Sequence, residues 1–208
     1  MVNGFIIVCV EYLMRIMNKL SAVKLFKSLA KKVLKTNNRE IELRNTNIII
    51  DVYIVMKWFL ICCFWSFGYN SNFCIAITIY LILNNLQIYF YHHIWSVRAI
   101  TNEQISVDRM KRRFVNLILA IAYSVFCFGY LYEECFPTHY DGWPEKYNKF
   151  LTALYYSMSN AIKGAGVLTP NDNTGLIISV TQFVTTYIFL TMMVSKAVPQ
   201  YTEKKKGE

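Results

Sequence analysis

Charge is what this sequence lacks most. Only 17% of its 208 residues are Asp, Glu, Lys or Arg, against about 25% in an ordinary soluble domain. No long polar block is left from which a second, water-soluble domain could be built, so one compact membrane domain is expected. Acidic residues are the scarcer sign, 13 against 22 basic ones for a net charge of +9. The basic residues flank apolar runs, where membrane topology rather than nucleic acid accounts for them. No two of the six cysteines form a CxxC pair, and most sit in apolar segments. They read as packing residues and not as metal ligands, with Cys135 alone clearly outside the apolar runs. No Ser-His-Asp set, HExxH pair or phosphate-binding glycine loop is present, so nothing supports an enzyme, and no metal or other cofactor is expected.

What is present is a set of four apolar stretches: Ile48 to Phe67, Phe73 to Tyr91, Phe114 to Tyr132 and Thr174 to Ser195. Each holds about 20 residues, enough for a helix to cross about 30 Å of hydrocarbon. Trp58, Trp65 and Trp95 lie in or near them, as interfacial anchors would. The N-terminal region, the link carrying Arg98, Arg109, Lys111, Arg112 and Arg113, and the tail with Lys196 and Lys204 to Lys206 are basic. The connection between the third and fourth stretches instead carries Glu133, Glu134, Asp141, Glu145 and Asp172. Four crossings of a plasma or inner membrane with both termini cytoplasmic put every basic segment in the cytoplasm.

The N-terminal segment "EYLMRIMNKLSAVKLFKSLAKKVLK" sets Leu13, Met17, Leu20 and Val23 among basic residues at near-helical spacing. Two readings stay open: a helix lying on the anionic leaflet, or a solvated helix packed on the domain. "FIIVCV" is too short to span and has its charges on the wrong side for a signal peptide.

Ionisable and amide groups inside the spans are few. Asp51 is expected near the cytoplasmic surface and Lys57 to snorkel toward it; six positions put the two off one helical face. Asn84 and Asn85 can hydrogen-bond between helices. His92 and His93 read as interfacial, and His139 has no partner visible in the sequence. The first span carries no regular row of arginines, so it is not a voltage sensor of the usual kind.

Between the third and fourth spans, "DGWPEKYNKF" leads into "ALYYSMSNAIKGAGVLTP". Pro144 and Glu145 suit a helix start. The helix that follows is cut short by Gly164 and Gly166, so it would enter the membrane and stop partway. Non-helical backbone at that depth is tolerated only where protein buries it or water reaches it, and glycines supply the torsions it needs.

Residues 114–196 therefore resemble the pore module of tetrameric potassium channels, the two-transmembrane ion-channel family. "ALYYSMSNA" stands for the aromatic-rich pore helix, "GAG" for GYG, and "LTP" for the segment leaving the filter. The resemblance implies an all-α membrane protein of four transmembrane helices with a re-entrant pore helix and loop, assembled as a homotetramer. It divides the chain into a cytoplasmic basic helix (1–47), a transmembrane hairpin with its basic link (48–113), the pore module (114–196) and a basic tail (197–208). It implies a selectivity filter at Ile162, Lys163, Gly164, Ala165 and Gly166, and an inner pore lined by Thr181, Gln182 and Thr185. The filter is degenerate: Ile162 and Lys163 replace threonine and valine, and Ala165 replaces tyrosine. Four Lys163 ammoniums facing one axis at about 6 Å would repel by roughly 3 kcal/mol per pair at an effective dielectric of about 20. An outward-pointing Lys163 is expected, reaching a carboxylate such as Asp172 or snorkelling.

The expected function is an oligomeric channel for monovalent cations with non-standard selectivity, its partners being ions, the lipid bilayer and copies of itself rather than nucleic acid. The alternative is a non-conducting channel-like subunit or membrane scaffold that regulates a partner.

Overall fold

The computed structural model describes residues 4–19, 21–23, 26, 28, 39–91, 107–164 and 166–197. Expectations for His92, His93, Trp95, Arg98, Ala165 and Lys204 to Lys206 fall outside them. The described chain is mostly helical: α1 (Phe5–Lys19), α2 (Arg39–Ser66), α3 (Asn72–Phe90), α4 (Val107–Tyr130), α5 (Lys149–Ala161) and α6 (Asn173–Ala197). Four of these are long and apolar enough to cross a membrane, with spans at Arg44–Ser66, Asn72–Phe90, Phe114–Cys135 and Asn173–Val194. A multi-pass membrane protein follows from that length and composition. Cys135 closes the third span instead of lying clear of it, because α4 continues into a π-helical turn over Leu131–Cys135.

The surface is apolar and the polar side chains turn inward, the arrangement lipid favours. Val52, Val55, Phe59, Phe73, Val180 and Val184 are exposed, while Thr78, Asn84, Asn85, Gln87, Ser124 and Gln182 are buried. A tight turn after α2 uses Gly68 at φ +63°. Ser71 then caps α3 by accepting from the Cys74 N–H at 3.3 Å. Across this turn the Tyr130 hydroxyl donates to the Tyr69 carbonyl.

Lys57 does not snorkel. It is buried, donates to Asn85 Oδ1 at 2.7 Å, and sits 4.3 Å from the centre of the Tyr123 ring. Asn85 donates onward to the Ala120 carbonyl at 2.9 Å, and Asn84 to the Tyr53 hydroxyl at 2.9 Å. These bonds tie α2, α3 and α4 together and give the ammonium a neutral amide and an aromatic face instead of water. Asp51 pairs with Arg112 at 2.7 Å, half in solvent, as its expected surface position allows.

Trp65, one residue from the end of its span, is buried. Its indole N–H donates to Glu133 at 2.8 Å, and its ring packs 4.6 Å from Phe126 and 4.4 Å from Phe150. Gly129 makes room for it, since a Cβ there would lie 2.7 Å from the indole. Trp65 thus wedges α2 against both α4 and the start of α5.

Candidate functional site

The connection from α4 to α6 leaves the ends of the two spans and returns to them. Tyr140 pairs with Pro170 and Asp141 with Thr169 in a two-residue antiparallel ladder, so residues 142–168 form a loop closed at its base. Around this base His139 Nδ1 and Asp172 Oδ2 are 2.6 Å apart, giving His139 the partner the sequence did not reveal. Asp172 also accepts from the Gly175 N–H at 2.8 Å. Those two contacts, the backbone one first, hold its carboxyl below the ordinary range. The Tyr140 hydroxyl donates to the Gly175 carbonyl at 2.7 Å.

Within the loop lies α5. It begins at Lys149, not near Pro144, because Asn148 supplies the cap: its side chain accepts from the Phe150 N–H at 2.8 Å. One face of α5 buries Thr152, Ala153, Tyr156, Ser157 and Ser159. Leu151, Tyr155, Met158 and Ile162, spaced by three or four, stay exposed.

Ser157 fixes how deep α5 reaches. Its hydroxyl donates to the Val125 carbonyl at 2.7 Å, ten residues short of the span's end at Cys135, or about 15 Å along the helix. On the other side Asn160 donates to the Ser179 carbonyl at 2.9 Å and to Gln182 Oε1 at 2.8 Å. Gln182 lies nine residues beyond Asn173, about 14 Å down α6. The C-terminal part of α5 therefore sits beside the middle residues of the third and fourth spans.

Gln182 is the hub of this arrangement, fully buried. Its Oε1 also accepts from the Tyr132 hydroxyl at 2.5 Å, and its Nε2 donates to the Ser157 carbonyl and hydroxyl at 2.8 and 2.6 Å. Gln182 and Thr185 are the residues expected to line an inner cavity. Both are buried within the chain, where Gln182 satisfies α5. Thr181 is exposed, with its hydroxyl returned to the Ile177 carbonyl at 2.7 Å.

After Ala161 the backbone closes in a Schellman turn. The Gly164 N–H bonds the Ser159 carbonyl at 2.7 Å and the Lys163 N–H bonds the Asn160 carbonyl at 3.4 Å. Lys163 takes the left-handed position, φ +56°, where glycine is usual. Its ammonium does not reach Asp172, which is engaged by His139 and Gly175; it lies 4.7 Å from the centre of the Phe183 ring on α6. Ile162, Lys163, Gly164 and Gly166 are all exposed. Gly166 runs against the Tyr156 ring, where a Cβ would come within 2.7 Å of a ring carbon. Tyr156 packs in turn on Tyr132 and Tyr140 at 4.9 and 5.6 Å.

Sequence reasoning singled out the glycines and Lys163 but missed Asn160, Ser157, Ser179 and Phe183. The available signal was the polar pair Asn160 and Gln182, amide side chains within helices whose other inner polar residues carry only hydroxyls. No known protein family, no curated protein and no solved structure matches this chain.

Proposed function

We propose that the chain is an oligomeric channel for monovalent cations, in which residues 142–168 form a re-entrant pore loop and both termini are cytoplasmic. The observation that supports this reading is the short α5, which bonds the Val125 carbonyl on α4 and Gln182 on α6 while the loop's two ends meet in one ladder. A helix that enters and returns on the same side leaves irregular backbone at depth, which needs protein or water around it. Ile162, Lys163, Gly164 and Gly166 belong to that backbone. Their carbonyls partly replace an ion's hydration water, and copies of the chain complete the ring.

The contact between Lys163 and Phe183 supports a cation path. It holds the ammonium against the chain's own inner helix, in a cation–π contact, which fixes where that charge sits. A non-conducting subunit is the second reading, favoured by the same lysine because no neutral side chain stands in its place.

The test is reconstitution of the purified chain in planar bilayers, with reversal potentials read under potassium, sodium and chloride gradients. Currents that follow the cation gradient are expected. Lys163→Asn, which keeps a side chain tolerant of positive φ, raises the current. Silence from both proteins selects the scaffold reading, and a reversal that follows chloride rejects cation selectivity. Epitopes at Glu134 and Asn173 found on opposite faces of intact cells would sink the re-entrant loop itself.

A further inference from the structure

Helix α1 is apolar on two sides. Met14 is buried, and α1 packs along α3. On the opposite side Phe5, Cys9, Tyr12 and Ile16, spaced by four, three and four, form one stripe. All four are exposed, Phe5 at 82% and Tyr12 at 68%. A solvated helix of the sort the sequence left open would not carry such a stripe away from its packing face.

Charge and position identify what covers it. Between Phe5 and Thr36 the chain has Arg15, Lys19, Lys24, Lys27, Lys31, Lys32 and Lys35 against the single acid Glu11. One described residue of that stretch touches a membrane-spanning helix. The Phe26 ring packs 5.4 Å from Tyr53, a residue inside the first span. A basic segment with an apolar stripe, held beside transmembrane helices, matches a leaflet of anionic phospholipid: acyl chains for the stripe and headgroups for the lysines.

We infer that α1 is an interfacial helix that lays Phe5, Cys9, Tyr12 and Ile16 into the anionic leaflet, making the N-terminal region a lipid-composition sensor joined to α3. This is independent of ion conduction, and its test reads no current.

Cys9 supplies a native probe in the stripe. The full-length protein is placed in nanodiscs of phosphatidylcholine alone or mixed with phosphatidylglycerol. It is reacted with a charged maleimide, and labelling at Cys9 is read by peptide mass spectrometry. In the mixed bilayer Cys9 should react about tenfold more slowly than in phosphatidylcholine alone, and high salt should erase part of the difference. A Phe5→Glu, Tyr12→Glu, Ile16→Glu variant should label at the rate of the denatured chain in both. Wild-type Cys9 labelling at that rate in the mixed bilayer overturns the proposal. Equal protection in both bilayers overturns the anionic requirement. Protection that grows with the number of protein copies per disc assigns the stripe to a second chain instead. The wild-type comparison between lipids needs no variant, so a folding defect in the triple mutant cannot decide the outcome.

Discussion

Lys163 combines two roles that pull in different directions. Its backbone occupies a left-handed position that side chains adopt at a cost of about 1–2 kcal/mol, while its ammonium rests on Phe183. Lys163→Gly should therefore stabilise the purified protein by about 1 kcal/mol, visible as a higher unfolding temperature. Lys163→Val should lower that temperature, because a β-branched residue is worst suited to positive φ. Asp172 gives a pH signature. Its folded carboxyl titrates below the ordinary range, so the stability it contributes is full above about pH 4 and is lost as acidification passes through the lower folded value. Thermal melts across acidic pH should show this loss, and Asp172→Asn should flatten that part of the profile.

At the scale of helices, buried polar groups decide the packing. Gln182→Leu deletes the acceptor used by Asn160 and Tyr132 and the donor used by Ser157. Denaturant titration should register a loss of about 2–4 kcal/mol, since the stranded groups stay buried. The Lys57–Asn85 bond predicts an asymmetry. Lys57→Met removes a buried cation but strands Asn85 Oδ1 and should cost about 1–3 kcal/mol, whereas Asn85→Leu leaves that cation without its amide and should cost about 3 kcal/mol or more. The same distinction explains what the sequence made legible. The four long helices were readable because twenty apolar residues admit few other structures. The short helix and its glycine turn were readable because Gly164 and Gly166 interrupt an apolar pattern. Partners were not readable. Lys57 with Asn85, His139 with Asp172 and Lys163 with Phe183 are 28, 33 and 20 positions apart, and only the packing of separate helices brings them together. The start of α5 was misplaced because Pro144 and Asn148 are both acceptable openings, and local preference does not rank them.

Across the whole molecule, α6 is held unevenly. Its first half is fastened through Asp172, Gly175, Ser179 and Gln182 to the loop base and to α5. Gly175 lies so close to His139 that a Cβ would come within 2.4 Å of the His139 carbonyl oxygen. Farther along, Phe189 and Met192 pack against Leu117 and Ala120. Amide hydrogen exchange of the reconstituted protein should accordingly be slower over 173–182 than over 183–197. Van der Waals contacts can slide past one another where directional bonds must break. In the channel proposed here, a push on the far arm of this helix would swing that end about Gln182 while the rim at the other end stays still.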